Sequence, residues 1–417
     1  MNMIKQASIF GSLVVLSVVI MIGCGKRVES PQKVSVKEAE NKVLSEQQEK
    51  GYDLPIEESE KQEAQSECIE VMELISEIYA KADKGKASNV VIGEKTLLEM
   101  RAKVKQTGQP VITSVTYSGM GNYGKMESFL SDCQEGKSGT ITIYKIHSDG
   151  GLGREKYIFN GKDLFVLSAS AGWDGKGGSV LFYLSYTRIK EWSYTKKGWF
   201  CYQLCVPEPP EVTEMVDGSR MIRVRPMKKR HRELSKKCVL GLGYQGNNLL
   251  CSNWDADHMK KLDFNGMYDC LYEMKYGKKF EVKVYGDGIP RSDFESLIME
   301  YLPVTPEELR RYAVYDEKKG EYAWERLGCS NYDLTYFGIS IPEVTKIREN
   351  KDGTTTLTVE AVCEMVVGEE AAVTHELTVR FYENGDFQYL SNKILGNGKK
   401  DIPDYHYRVE KKIREVE

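Results

Sequence analysis

The chain has 417 residues, 58 Lys plus Arg against 62 Asp plus Glu, a formal net charge of −4 and 41% hydrophobic residues. That length supports two or three domains with ample core burial. A mildly acidic chain has no general attraction for a phosphate backbone, so neither size nor charge points to nucleic acid and none is expected as a partner.

The N-terminus sets the compartment. Lys5 precedes a charge-free run from Gln6 to Gly23, and Cys24 follows. About fifteen of these residues form the apolar region of a signal peptide, whereas a membrane-spanning helix needs ~20. The run ends in Met21-Ile22-Gly23-Cys24, which resembles a bacterial lipobox. A small residue before the cut lets a peptidase approach the extended backbone closely. The Cys24 thiol is the good nucleophile there for accepting a diacylglyceryl group. Residues 1–23 therefore read as a lipoprotein signal peptide, with lipid attached at Cys24. An uncleaved anchor is the other reading. Both place the remaining chain outside the cytoplasm, held at a membrane.

Residues 24–53 read as a tether. From Lys26 to Lys50, eleven of twenty-five residues are charged and none is aromatic. Such a segment cannot bury enough apolar surface to fold alone. Order is expected from Asp53-Leu54-Pro55 onward. Cys68, Val71, Met72, Ile75, Tyr79 and Ala82 recur at helical spacing, and Gly85 stops the helix. A second helix is expected over 94–107. A third places Met126, Phe129, Leu130 and Cys133 on one face.

The period then changes. Ile141 and Ile143 alternate with polar neighbours, and Asn160-Gly161 stands between two β-rich runs as a hairpin signal. A second hairpin turns at Lys196-Lys197-Gly198. Residues 139–206 read as an antiparallel meander, ended by the prolines of "VPEPPEV". The stretch 207–290 is mixed: a basic strand "RMIRVRP", a short helix, a glycine loop, a helix carrying Phe264, Met267, Tyr268 and Leu271, and a strand from Phe280 to Val284. The last part, 291–417, repeats helices followed by a meander. Ser292-Asp293-Phe294-Glu295 and Thr305-Pro306-Glu307-Glu308 both read as capping boxes. Turns follow at Asp352-Gly353 and Asn384-Gly385. Segregated helices and strands make the fold α+β: two such units, 54–206 and 291–417, around a mixed middle segment.

Several motifs invite a function. Gly119, Gly121 and Gly124 have G-x-G-x-x-G spacing between a β-rich run and a helix, with Asp149 ending the next strand. The spacing recurs at Gly241, Gly243 and Gly246 in a chain of 37 glycines, with no helix pattern behind it. After Asp149 the chain makes hairpins, where a dinucleotide fold needs further parallel βαβ units. These glycines read as a turn, with Asn122 as helix N-cap and no cofactor; a parallel βαβ unit over 111–149 would reverse that. "WDADH" brings Asp255, Asp257 and His258 together, but Asp255 reads as a cap and no metal is assigned. His375 alternates with Val373, Leu377 and Val379 on an apolar strand face, so it reads as packed. Tyr183, Tyr186, Trp192, Tyr194, Trp199 and Tyr202 read as core-forming aromatics that could also line a groove. Nine of eighteen residues over 220–237 are Lys or Arg. Arg220, Arg223, Arg225, Lys228, Lys229, Arg230 and Arg232 form a candidate patch for anionic lipid or a wall polymer. The competing reading puts Arg223 and Arg225 on one strand face and the rest on a solvated helix.

H-E-x-x-H and G-x-S-x-G are absent, and the S-x-x-K at Ser193 lies at a hairpin turn rather than a helix start. The sequence therefore favours a non-enzymatic binding or structural module at the cell surface. A transporter's solute-binding lipoprotein and a wall-active or glycan-active enzyme are the alternatives. Apart from Cys24, nine cysteines remain, an odd number at irregular spacings, and most read as small buried apolar residues. At "YTKKGWFCYQLCVPEPPEVTEMVDGS", "CVLGLGYQGNNLLCSNWD" and "GDFQYLSN" the chain resembles uncharacterised lipoproteins of clostridial Gram-positive bacteria. That resemblance implies a surface-exposed, lipid-anchored protein. It implies no activity and no catalytic residue.

Overall fold

The computed structural model describes residues 47–86, 89–174, 176–244, 246–281, 288–328, 340–363, 371–396 and 405–409. All of them belong to one unit that begins at Leu44. Cys24, the signal segment and most of the expected tether lie outside the described residues, as does most of the strand expected over 280–284.

The first helix, α1 (Glu58–Lys81), buries Ala64, Cys68, Val71, Met72 and Ile75 as a single stripe, with Glu58 and Glu60 in its first turn and Lys81 in its last. Helix α2 (Glu94–Lys105) buries Leu97, Met100 and Val104. Helix α3 (Tyr123–Gln134) buries Met126, Phe129, Leu130 and Cys133. These three match the periodic runs of the sequence.

A seven-stranded sheet follows the order β1 (Val111–Thr113), β2 (Gly139–Ile146), β3 (Leu152–Phe159), β4 (Leu164–Trp173), β5 (Ser179–Tyr194), β6 (Trp199–Leu204) and β7 (Ser219–Arg223). All neighbours are antiparallel except β1 and β2. Strand β5 is long enough to pair with β4 through its first half and with β6 through its second. Alternation gives the sheet two cores. Tyr144, Ile146, Leu152, Leu167, Ala169 and Ala171 pack with α1 and α2. Ile143, Tyr157, Phe159, Leu164, Val166 and Phe200 pack with α3.

Charge also fixes α1. Glu60, Glu63 and Glu67 form one stripe of the helix and meet alternate residues of β3. Arg154 is fully buried; its Nε donates to Glu67 at 2.5 Å, and its Nη2 lies 3.4 Å from Glu63. Lys156 Nζ lies 2.8 Å from Glu60 and 3.0 Å from Glu63. The end of the expected tether is docked rather than free. Arg188 N–H donates to Gly51 O at 2.7 Å and Leu54 N–H to Tyr186 O at 3.0 Å, so this stretch runs along β5.

The second half is built on a five-stranded antiparallel sheet, β12 (Ser340–Glu349), β13 (Thr355–Cys363), β14 (Val373–Phe381), β15 (Phe387–Ile394) and the two-residue β8 (Trp254–Asp255). Its inner face, with Val344, Leu357, Val359, Leu377 and Tyr389, packs on α4 (Lys229–Cys238), α5 (Phe264–Tyr276) and α6 (Arg291–Tyr301). A small sheet of β9 (Gly288–Pro290), β10 (Tyr315–Asp316) and β11 (Glu321–Ala323) lies beside α6, and α7 (Pro306–Tyr312) follows that helix. The fold is α+β, as the segregated pattern predicts.

The two expected capping boxes part company. Thr305 and Glu308 form one, with Pro306 at the first helical position. Ser292 does not cap α6. The helix starts one residue earlier, behind Pro290, whose extended backbone ends β9. Glu295 turns instead to Arg310 and to the Tyr322 hydroxyl, each at 3.0 Å. A buried carboxylate with two donors in reach is held there rather than at the helix start.

Candidate functional site

The basic segment does not form one surface. Strand β7 alternates its side chains, and Ile222 enters the core under α3 while Met221 and Arg223 face the other way. That second side meets β12 and β13. There Glu343 and Glu360 stand directly opposite each other in the ladder. Like charges so placed repel, and they need cations. Arg223 Nε lies 3.1 Å from Glu343, and Lys197, from the turn before β6, pairs with Glu360. Arg223 also donates to Lys197 O and stacks 5.4 Å from the centre of Trp199. The Glu343 side chain is 3% exposed. Burial holds its carboxyl above the ordinary range against the pull of Arg223 and of the Trp199 indole. The Tyr117 hydroxyl donates to Pro342 O along the same seam. These groups join the two sheets.

The other members of the segment divide in two. Arg225 donates to Glu127 at 2.7 Å and to Lys196 O at 2.9 Å, and lies over Tyr194. Arg230 pairs with Glu349. Lys229 and Glu233 approach only to 3.9 Å, both exposed. Among the described residues, no carboxylate reaches Arg220, Lys228 or Arg232: Arg220 donates to Ser219 O at 2.6 Å, Lys228 is the exposed N-cap of α4, and Arg232 is half-buried on that helix.

The parallel βαβ unit set above as the condition for reversing the glycine reading is present, although the strands after Asp149 form hairpins as expected. Strands β1 and β2 are parallel and joined through α3, so a βαβ unit does exist over residues 111–146. The three-residue β1 was too short to show a period. Yet the turn is filled. Gly121 exchanges both backbone hydrogen bonds with Val111, and Met120 is buried. Gly119 has φ +68°, and a Cβ there would stand 3.0 Å from Pro226. Asn122 precedes α3, but its amide donates back to Lys105 O at 2.7 Å and Gln109 O at 2.9 Å, closing α2 rather than capping α3. A pyrophosphate needs open backbone N–H groups at that place; here Pro226 crowds Gly119, the Val111 and Lys105 side chains crowd Gly121, and the Gly121 N–H is spent on Val111 O, while Gly124 stays open.

His375 lies at 0% exposure on the inner face of β14. Its Nε2 is 2.9 Å from the Tyr244 hydroxyl and its Nδ1 2.6 Å from Asn392 Oδ1. Asn392 Nδ2 donates to Leu250 O at 3.0 Å and Ser252 O at 2.8 Å. The amide orientation is thereby fixed, so Nδ1 of His375 carries the proton and Nε2 accepts from Tyr244. Burial pushes the imidazole down to about 4. In "WDADH", His258 Nδ1 lies 2.7 Å from Asp255, which also accepts from the Asp257 N–H; the pair closes on itself at the surface. Of the aromatics, Trp199 and Tyr202 are buried and Tyr183 is exposed.

Among the described residues no helix is long and apolar enough to cross a membrane. A family model described as a family of unknown function (DUF6070) matches residues 61–408. No curated protein and no solved structure matches the chain.

Proposed function

The chain belongs to that family of unknown function, and on this premise we propose that it is a lipid-anchored, extracytoplasmic binding module that meets anionic surface polymer or lipid. Cys24 carries the lipid, and the charged segment behind it holds the folded part at the membrane. The observation that carries the surface reading is the division of the basic segment. Arg223, Arg225 and Arg230 are matched by carboxylates of the fold, whereas Arg220, Lys228 and Arg232 are matched by none among the described residues.

The test compares the purified lipoprotein with an R220Q/K228Q/R232Q variant on vesicles with and without phosphatidylglycerol. The lipid anchor is common to both, so only charge differs. Each basic residue near an anionic surface is worth about 1 kcal/mol, so the variant loses roughly 100-fold in its preference for anionic vesicles. That preference fades as salt rises. Equal, salt-insensitive partitioning of the two proteins refutes the patch. The other two readings draw no support from the fold. A solute-binding protein uses parallel sheets in two lobes, and among the described residues only β1 and β2 pair in parallel. The facing carboxylates Glu343 and Glu360 are both occupied by cations.

A further inference from the structure

Helix α2 has a second stripe. Glu94, Leu98, Arg101 and Lys105 recur at spacings of four, three and four, on the side flanking the buried Leu97, Met100 and Val104. Two contacts place this stripe along α4. At the start of α2, Glu94 lies 3.6 Å from Lys236 in the last turn of α4. At its end, the Lys105 side chain lies against Gly121, while Gly119 abuts Pro226, just ahead of α4. The two helices therefore run antiparallel along a shared groove. On α4, Ser235 and Cys238 turn inward, and Ser235 Oγ accepts the Val344 N–H. Lys228, Arg232 and Lys236 recur every four residues on the stripe beside the groove.

The charges in this groove are not balanced. Glu94 is engaged by Lys236 at one end. Between the ends stand Arg101, Arg232 and Lys228, with no carboxylate of the described residues on any of them. Arg101 Nε is buried without an acceptor. Burial, and after it the neighbouring Arg232 guanidinium, hold Arg101 below its ordinary range. Helix α4 begins with Lys228 at its N-cap, no capping side chain and no acid in the first turn. Its first amides and the positive end of its dipole thus add to the same positive field. An unpaired buried guanidinium N–H and two facing cations are each costly, and a bound anion relieves both.

We propose that the α2–α4 groove binds a phosphate group, gripped by Arg101 and Arg232 with Lys228 at the helix start. Two guanidinium forks and helix N–H groups suit a tetrahedral anion better than a single carboxylate. The proposal rests on reading residues 220–232 as an anionic-surface site, and it sharpens that reading by adding Arg101, which lies far outside the basic segment. A phospholipid headgroup and the phosphodiester of a wall polymer offer the same chemistry.

The test titrates the full chain in neutral detergent with two probes: phosphatidylglycerol doped into the micelles, and a soluble glycerophosphate oligomer. Binding of either probe, weakened tenfold or more by R101Q and by R232Q, partly restored by R101K and unchanged by K190Q, supports the groove. R101Q without ligand should melt at or above the wild-type temperature, because it removes an unpaired cation, and should lose the rise in Tm that the probe gives wild type. Wild-type affinity in R101Q, with phosphate still bound, overturns the groove while the surface patch survives. Failure of both probes to bind overturns the groove and the patch together.

Discussion

Acidification should weaken the fold through His375. The imidazole is neutral in the folded chain because Asn392 and Tyr244 fix its tautomer, and because it is fully buried. In the unfolded chain it titrates near 6.5; folded, it is held at about 4. Between these values the unfolded state binds a proton that the folded state refuses. Stability from this group is thus complete above pH 6.5 and is lost as pH falls toward 4. Each unit of separation is worth about 1.4 kcal/mol, so the full loss is about 3 kcal/mol, of which roughly 2–3 kcal/mol is gone by pH 4.5. Urea unfolding from pH 7.5 to 4.5 measures it. His147 and His231 are also held low by burial and contribute slopes of the same sign, so the decisive comparison is with H375Q. That variant should be weaker at neutral pH but lose less on acidification. Identical pH slopes, or an NMR titration of His375 near 6.5, would refute the reasoning.

The seam gives a sharper mutational test. R223M leaves Glu343 buried beside Glu360 without its cation and should cost about 3–5 kcal/mol, while adding E343L should restore stability to near wild type or above. Additive losses in that cycle, measured by denaturant unfolding, contradict the account. G119A should lose about 1–3 kcal/mol, because the position has φ +68° and abuts Pro226; an unchanged unfolding midpoint would contradict the packed turn. Burial pushes the thiols of Cys68 and Cys133 up to about 11 and those of Cys238 and Cys363 to about 12. At pH 8 they should resist iodoacetamide in the native protein and react on unfolding, as mass spectrometry of the labelled peptides would show; rapid native labelling would count against the buried reading.

Much of the fold was legible because its elements announce themselves locally. Single apolar stripes mark α1, α2 and α3. Asn160-Gly161, Asp352-Gly353 and Asn384-Gly385 turn the hairpins, and Thr305 with Glu308 caps α7. Three things were not legible. β1 is only three residues long, so neither its period nor its parallel pairing with β2 could be read. Ser292 fits a capping pattern, but Pro290 starts the helix sooner. The contacts of Arg154 with α1, and of Arg223 with Glu343, join residues far apart in the chain, which composition cannot foresee. For the same reason the basic segment looked like one patch. Whether a cation faces solvent or a carboxylate is decided by strand alternation and by which sheet lies opposite. The groove was still less visible, since Arg101 sits on an otherwise ordinary amphipathic helix.

Mass spectrometry of the N-terminal peptide of the protein extracted from its own membranes tests the central claim most directly. The account predicts a chain that starts at Cys24 and carries a diacylglyceryl thioether on that residue. A chain that keeps residues 1–23, or starts elsewhere with an unmodified Cys24, would contradict it.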